Sequence, residues 1–580
     1  MLKKVPPADW PFIFAGFILS LLLGMRIGTA WVDAIALEGN GNVIQEIGKI
    51  PDYITKIYWI NSVDFLLPYK IAGCCAIMYV IVILFHYSTK KKLRTGEEHG
   101  SAEWARATEI KAIMDHDPLK NIIFTETEAM SLDTRKTRKN LNVLVIGGSG
   151  AGKTRFFVKP NIMQHNTSFV ITDPKGELLK STAQMLENNG YKIKVFNLID
   201  LAHSNAYNPF AYIRDDKDVM KMINILIKNT TPKGASPSDP FWEKAETALL
   251  QAICYYLYHE APYEEQNFSM VMELLRSAEV REGQEDYESD LDLLFNHLRE
   301  KDSNHIALKQ YAIFKQAAGQ TAKSILVSVG VRMSMFNQRD IGALTITDNI
   351  MLEDLGVEKT ALYVVIPDSH DTFNFLVAMM YSQIFDSLYF MADNEFGGRL
   401  PVHVRFLLDE FANIGQIPDF DKMVATMRSR EVSVSIIIQN MAQLKAGYKD
   451  TWESITGNCD SLLFLGGQEQ TTLEYISKRL GKTTIDIKTT GQSKGKSSSN
   501  SINFGLHGRE LMTADEISRM PDRNCILMIR GLKPFYSNKI VIEQLKEYKN
   551  LDDSNVGSNF SYAKISTPYD RLDSFFREYT

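Results

Sequence analysis

The chain has 580 residues, which is long enough for about three or four domains. Its composition, with 45% hydrophobic and 23% charged residues, is typical of globular proteins and excludes a wholly disordered or coiled-coil chain. The net charge of −6 disfavours a protein that coats nucleic acid with a general basic surface, although it leaves room for a local basic channel. The five cysteines show no metal-binding spacing, and so small a number fits a reducing compartment.

Two apolar runs near the N-terminus have the composition of membrane-spanning helices. They cover residues 11–31 and 71–87, and a helix of about 20 apolar residues crosses the hydrocarbon layer. A cleaved signal peptide is the alternative for the first run, and a core helix is the alternative for the second. Both are disfavoured, because the first run lacks a small-residue cleavage site and a lysine cluster follows the second.

Charges beside the two runs predict their orientation. The segment that connects them, 32–70, is acidic on balance. Basic residues stand on the outer sides of the pair: Lys3, Lys4, Lys90, Lys91, Lys92 and Arg94. The positive-inside rule then places both termini in the cytoplasm. We therefore expect residues 1–88 to anchor the protein in the cell membrane, and the rest of the chain to be cytoplasmic.

A glycine-rich loop follows the apolar, strand-like run 141–146 and matches the pattern GxxxxGK[ST] in full. Its glycines let backbone N–H groups curl around phosphate oxygens, Lys153 reaches the β and γ phosphates, and the Thr154 hydroxyl ligates Mg²⁺. A glycine-rich turn that binds nothing is the alternative. The predicted nucleotide-binding loop comprises Gly147, Gly148, Ser149, Gly150, Ala151, Gly152, Lys153 and Thr154.

An acidic pair ends a second strand-like run, 402–408. Asp409 is predicted to hold Mg²⁺ through a water molecule, and Glu410 is predicted to activate the attacking water as general base. An acid pair of this kind distinguishes an ATP hydrolase from a passive nucleotide binder. The alternative is a helix N-cap Asp followed by an exposed Glu.

Polar residues around a third strand-like run, 434–438, are candidates for sensing the γ-phosphate. Gln439 ends this run, and side chains at the carboxyl ends of parallel strands point into the ligand crevice. Arg428 and Arg430 lie between the second and third runs, where one of them could reach a neighbouring subunit's nucleotide as an arginine finger. Solvated charges at a helix end are the alternative for both arginines.

Further strand-like runs alternate with helical patterns and predict a doubly wound α/β sheet. These runs are 168–172, 192–197, 361–366, 461–465 and 525–529. Residues 236–340 show helical spacing without a strand pattern, so we expect an inserted all-α domain there. The predicted divisions are the anchor (1–88), a nucleotide-binding domain in two parts (89–235 and 341–550) around the all-α domain (236–340), and a C-terminal tail (551–580).

Two segments carry biased composition. Residues 279–292 are strongly acidic, which is more typical of a solvated surface than of a binding site. Residues 482–501 are rich in Ser, Gly, Thr and Lys, so we expect a flexible loop there. Its lysines could touch phosphates, but a plain mobile hairpin loop is the favoured interpretation.

The motifs, taken in chain order, resemble those of the coupling-protein ATPases of conjugation and type IV secretion. Gln439 matches the family's glutamine at a strand end, and Arg428 matches its proposed arginine finger. The other matching segments are HGSAEWA (99–105), KPN (159–161), DPKGE (173–177), NPF (208–210), DPFW (239–242), LLDEFANIG (407–415), RxL (509–511) and DEI (515–517).

The resemblance implies a RecA-like P-loop NTPase that binds ATP and Mg²⁺ and forms a membrane-anchored hexamer around a central channel. Its catalytic residues would be Lys153, Glu410, Arg428 and Gln439. The implied partners are a relaxase bound to single-stranded DNA and the proteins of the secretion channel. The short loop between the spans departs from family members with a larger periplasmic segment and suggests a single-membrane, Gram-positive-type host.

Two other functions compete with this one. A docking receptor for secretion substrates would bind nucleotide without turnover, and Glu410 argues against it. A septal-type translocase of double-stranded DNA would share the motor core but would need a C-terminal DNA-reading domain. The weakly patterned residues 551–580 leave no room for such a domain.

Overall fold

The computed structural model describes residues 9–38, 43–55, 66–89, 96–231, 240–281, 287–317, 319–368, 372–493, 499–554, 560–562 and 565. The chain divides into two compact units, Met1–Glu98 and His99–Thr580. Several sequence predictions concern residues outside the described ones. These are the six flanking basic residues, Asp239, parts of the acidic segment 279–292, and most of the predicted tail.

Most of the described residues of the first unit are helical. Its helices are α1 (Trp10–Glu38), α2 (Val43–Ile54) and α3 (Leu66–Thr89). Both α1 and α3 are long and apolar enough to cross a membrane, and they contain the runs 11–31 and 71–87. Glycines let them approach closely, since a Cβ at Gly24 would lie 2.7 Å from the Cα of Ala72.

The second unit is built on a nine-stranded sheet with the order β13-β12-β9-β3-β8-β7-β4-β6-β5. Every adjacent pair from β9 to β5 is parallel, whereas β12 is antiparallel to both of its neighbours. The strands are β3 (Val143–Ile146), β4 (Ser168–Asp173), β5 (Lys192–Asn197), β6 (Thr360–Val365), β7 (Val404–Leu408), β8 (Val432–Ile438), β9 (Ser461–Phe464), β12 (Asn524–Ile529) and β13 (Phe535–Asn538). A short hairpin, β1 (Asn121–Ile123) and β2 (Ala129–Ser131), precedes them.

The sheet is covered on both faces, because alternate residues of its strands enter two separate hydrophobic clusters. Leu144 and Ile146 pack into the larger cluster, with the helices of the insert, whereas Val143 and Val145 pack into the smaller one. This arrangement confirms the predicted doubly wound α/β sheet.

Helices connect the strands. On either side of the insert they are α4 (Thr134–Thr137), α5 (Lys159–Ile162), α6 (Glu177–Asn188), α15 (Asn374–Asn394), α16 (Phe420–Thr426), α17 (Met441–Gly447), α18 (Trp452–Gly457), α19 (Gln470–Leu480) and α20 (Ala514–Ser518). Helix α15 is also long and apolar enough to span a membrane, but it is buried in the core of the second unit.

The chain between β5 and β6 contains helices and no strand in its described residues. These helices are α7 (Asp216–Thr230), α8 (Pro240–Glu260), α9 (Phe268–Arg276), α10 (Asp290–Lys301), α11 (Ile306–Lys315), α12 (Gln320–Met333), α13 (Arg339–Ile346) and α14 (Asp354–Val357). An inserted all-α segment is therefore present, whereas the domain limits 236–340 stay a prediction.

The expectation of a flexible loop at 482–501 is wrong for residues 482–493 and 499–501, which form strands, whereas residues 494–498 lie outside the described ones. Two strands, β10 (Lys482–Ser493) and β11 (Ser499–Glu510), pair over their full length as a separate two-stranded sheet. We call this sheet the ribbon. Its apolar residues alternate with polar ones, as at Ile485 and Ile487 and again at Ile502, Phe504 and Leu506. The many Ser, Gly and Thr residues obscured this period of two, which is the signal that predicts a strand.

Candidate functional site

The glycine-rich loop follows β3 and is held by the two strands beside it. The amide of Gly147 donates to the carbonyl oxygen of Ile438 at 3.1 Å, and the amide of Gly148 donates to that of Gly466 at 2.8 Å. Gly152 has a φ of 80°, and a Cβ at this position would lie 2.4 Å from the Phe156 ring. Only glycine fits such a position without strain.

The polar end of the loop meets the acidic pair at the end of β7. Lys153 is 7% exposed, and its ammonium lies 3.5 Å from a carboxylate oxygen of Glu410. The Thr154 hydroxyl donates to Asp409 Oδ2 at 2.7 Å. The structure therefore brings two neighbouring side chains of the loop next to two neighbouring acidic side chains that lie about 255 positions later in the chain.

The acidic pair sits in a constrained part of the backbone. Asp409 is buried, and this burial raises the pKa of its carboxyl group, while the hydrogen bond from Thr154 opposes the shift. Glu410 has a φ of 52°, in the left-handed region that a non-glycine residue rarely adopts. Strained residues of this kind concentrate at functional sites.

Gln439 orients the Glu410 carboxylate. Its side-chain amide donates to both oxygens of Glu410, at 3.2 and 3.0 Å. The backbone amide of Gln439 in turn donates to the side-chain oxygen of Gln443 at 2.9 Å. Strand β8, which ends one residue before Gln439, lies between β3 and β7 in the sheet, so this glutamine stands between the strand that leads into the loop and the strand that ends in the acidic pair.

These groups face a cavity of about 360 Å³ at the carboxyl edge of the sheet. Sites for small molecules have volumes of about 300 to 1,000 Å³. The lining residues include Ser149, Thr154, Asp173, Lys175, Asp368, Asp409, Glu410 and Gln439. The lining combines hard carboxylate and hydroxyl oxygens, the ligands that Mg²⁺ prefers, with the phosphate loop.

Asp173 was not among the predicted site residues, yet it belongs to this cavity. It ends β4, the neighbour of β7, and its carboxylate accepts a hydrogen bond from the Leu179 amide at 2.8 Å. Burial raises its pKa to about 6. A signal was present in the sequence, because an acid at the end of a buried strand repeats the pattern of Asp409.

Lys539 is a second residue that the sequence gave no reason to select. It follows β13, is 8% exposed, and donates from its ammonium to the Ala151 carbonyl oxygen of the loop at 3.1 Å. Burial lowers the pKa of this lysine. A lone lysine near the end of the chain has no motif, so only the folded chain reveals the contact.

The two candidate finger arginines lie away from this cavity. Both belong to a short 3₁₀ turn, Met427–Arg430, at the amino end of β8, whereas the cavity lies at its carboxyl end. Arg428 donates to the backbone carbonyl oxygen of Thr134 at 2.7 Å. Arg430 forms an ion pair with Asp393 at 2.7 Å and lies against the Tyr389 ring.

A phosphate loop on a central parallel strand, an acidic pair two strands away and a polar residue on the strand between them define a RecA-like P-loop NTPase. The family model described as "Type IV secretory system Conjugative DNA transfer" matches residues 102–555. This protein belongs to that family, which confirms the resemblance drawn from the motifs.

Known proteins of this kind are distant in sequence. The protein VirD4 of Rhizobium radiobacter is 23% identical over 482 residues, which is 80% of this chain and 67% of VirD4. The type IV secretion system-coupling protein VirD4 of Bartonella quintana is 20% identical, and the alignment covers 87% of this chain and 83% of that protein.

The fold is shared with solved structures of the plasmid coupling protein TrwB. One contains the non-hydrolysable ATP analogue ADPNP, with a TM-score of 0.55 and 15% identity over 76% of this chain and 93% of TrwB. Another contains ADP and Mg²⁺, with the same TM-score and identity over 76% of this chain and 92% of TrwB.

Proposed function

We propose that this protein is a membrane-anchored, hexameric ATPase of a conjugative type IV secretion system. It couples a relaxase bound to single-stranded DNA, or a protein substrate, to the secretion channel and powers the transfer. The observation that carries the proposal is the contact of Lys153 and Thr154 with Glu410 and Asp409 at one cavity. Family membership and two helices with the length and composition of membrane spans support the placement at a membrane.

The loop and the acidic pair divide the binding of Mg·ATP between them. Backbone N–H groups of the loop and the Lys153 ammonium hold the phosphates, as glycine-rich loops of this pattern do. Thr154 and Asp409 have suitable oxygens for Mg²⁺, and the ADP and Mg²⁺ bound to TrwB support this assignment. When bound, Mg²⁺ neutralises charge that develops on the phosphates.

Glu410 is the proposed general base. In the structure its carboxylate is shared between Lys153 and Gln439. The phosphates of ATP compete for Lys153, since they carry more negative charge than one carboxylate. Glu410 then keeps the two hydrogen bonds from Gln439, which aim it at the attacking water while it accepts the proton.

The arginine finger is proposed to act between subunits of the hexamer. Neither Arg428 nor Arg430 contacts the cavity of its own chain, so a role in hydrolysis requires a neighbour's nucleotide. We assign the finger to Arg428. A single backbone carbonyl holds it, whereas Arg430 would have to break a bidentate ion pair with Asp393.

ATP turnover by the full-length protein in detergent, with and without single-stranded DNA, tests this proposal. Lys153→Ala and Glu410→Gln are expected to abolish turnover, whereas the exposed control Glu395→Gln keeps it. Binding of a fluorescent ATP analogue is expected to disappear in Lys153→Ala and to persist in Glu410→Gln.

Tight ATP binding without turnover under every DNA condition would overturn the motor and favour a docking receptor. Stimulation by double-stranded but not by single-stranded DNA would favour a duplex translocase instead.

A further inference from the structure

The ribbon has no covering layer over most of its length. Its twelve residue pairs run from Lys482 and Glu510 at its base to Ser493 and Ser499, and it forms no hydrogen-bonded ladder with the main sheet. The described residues from Asp486 to Gly491 on β10 and from Ile502 to His507 on β11 are exposed. A two-stranded ribbon of this kind is marginally stable in water, so we expect another surface to cover it.

One face of the ribbon carries an apolar stripe on β11. Ile502, Phe504 and Leu506 are 53%, 78% and 43% exposed. They form one stripe, because alternate residues of a strand point to the same side. On the paired strand, Lys488 stands opposite Phe504 and Asp486 stands opposite Leu506, so the most exposed apolar side chain of the stripe has a cation beside it. Apolar groups with flanking cations are typical of elements that lie in a membrane interface.

The charge of the ribbon also indicates an anionic surface. Residues 482–510 contain five basic residues against two acidic ones, a net charge of +3 within a chain whose net charge is −6. The cytoplasmic leaflet carries anionic lipids, which attract juxtamembrane basic segments.

The base of the ribbon is close in sequence to the second apolar helix. The Ala102 amide donates to the Lys482 carbonyl oxygen at 2.9 Å, and the Thr484 hydroxyl donates to the Gly100 carbonyl oxygen at 3.0 Å. Residues 90–98 alone separate α3 from His99 in the sequence. If α3 spans the membrane, the segment that holds the base of the ribbon therefore follows a membrane span after nine residues.

We propose that the ribbon lies on the cytoplasmic leaflet, with Ile502, Phe504 and Leu506 among the lipid headgroups and Lys488 beside anionic lipids. The proposal rests on the proposed cytoplasmic position of the second unit. It assigns a lipid surface as the partner of an element outside the nucleotide site.

A probe on the ribbon tests this contact in the full-length protein reconstituted in lipid nanodiscs. Cys74→Ser and Cys75→Ser remove the accessible native thiols, while Cys254, Cys459 and Cys525 are buried. Burial raises the pKa of Cys459 and Cys525 to about 12, which keeps these thiols unreactive. Phe504→Cys is then labelled with an environment-sensitive fluorophore. Asn503→Cys is the matched control, one residue away on the opposite face.

Spin-labelled lipids are expected to quench the probe at position 504 at least about twofold and to leave the probe at 503 nearly unchanged. Replacing anionic by zwitterionic lipids is expected to reduce the quenching at 504, and Lys488→Glu should have the same effect.

Absent quenching at 504, or equal quenching at both positions, would overturn the proposal. Shielding of 504 by single-stranded DNA in place of lipid would identify nucleic acid as the partner. Cross-linking between two 504 positions in place of quenching would identify a second copy of the chain. The quenching is measured without nucleotide, so loss of ATP turnover alone does not affect it, and turnover of Phe504→Cys in detergent reports on the motor separately.

Discussion

The polar side chains at the two ends of strand β8 differ in the partners that they contact. At the carboxyl end, Gln439 donates to Glu410, and Glu410 also pairs with Lys153. At the amino end, Arg430 pairs with Asp393, whereas Arg428 donates to one backbone carbonyl oxygen among the described residues. In the proposed function, the residues of the cavity bind the phosphates and activate the water. The cation that an arginine finger supplies lies at the opposite end of the strand, where another subunit can use it.

Arg428→Ala is expected to show the largest effect and would separate the two ends. Turnover should fall by about a thousandfold, because an arginine finger contributes about that much, while ATP binding stays unchanged. Turnover and equilibrium binding of an ATP analogue check this. Arg430→Ala is the matched control and should lose its ion pair with Asp393 but keep most of the turnover. If Arg430→Ala alone abolished turnover, the finger would be Arg430.

Gln439→Ala tests the carboxyl end and should have the next largest effect. Glu410 would lose the one amide nitrogen that donates to both of its carboxylate oxygens, and turnover is expected to fall by about ten- to a hundredfold, since one donor to a charged group is worth about 1.5 to 3 kcal/mol. The affinity for ATP should change little. Single-turnover kinetics measure the chemical step directly. An unchanged chemical step would remove Gln439 from the catalytic residues.

Lys539→Met concerns the outer support of the loop. The ammonium of Lys539 donates to the Ala151 carbonyl oxygen, and methionine keeps the apolar part of the side chain without that bond. We expect the dissociation constant for ADP to rise about tenfold, which corresponds to about 1.4 kcal/mol. Titration with a fluorescent ADP analogue measures it. Lys111→Met, at an exposed position, is the control. Equal affinity in both variants would contradict the supporting role.

The smallest of these effects is on affinity: Glu410→Gln, which is expected to abolish turnover, should raise the affinity for ATP by about two- to fivefold. The substitution removes the carboxylate that competes with phosphate for Lys153. The gain should shrink at high salt, because ionic strength screens this partly exposed pair. Affinities at low and high salt test both statements. A lower affinity at low salt would mean that Glu410 helps to bind the nucleotide.

The polar residues at the carboxyl edge of the sheet were predictable from the sequence, because each of them lies at the end of a buried strand. A parallel strand brings its terminal residue to a common edge, so Asp409 and Gln439 were predicted to lie beside the loop. Asp173 obeys the same rule and was left out of the predicted site. A polar residue at the end of a buried parallel strand therefore indicates a site residue, and this rule also applies to Asp173.

For the ribbon and for the two arginines, local sequence patterns were not sufficient to predict the structure. Composition predicted a loop at 482–501, although the period of its apolar residues predicts strands. The spacing of Arg428 and Arg430 gave no reason to prefer either one. Their partners, Thr134 and Asp393, are remote in sequence and differ in the strength with which they hold a guanidinium.

The sequence alone determined the apolar helices, the alternation of strands and helices, the phosphate loop and the acidic pair, because hydrophobic period and local motifs are written along the chain. Only the tertiary structure decided the order of the strands, the contact of Gln439 with Glu410, the support of the loop by Lys539 and the exposure of the ribbon. These features depend on contacts between residues that no local motif joins: Gln439 and Glu410 are 29 positions apart, and Lys539 and Ala151 are 388 positions apart. Packing of the whole sheet sets such distances, and no local pattern records them.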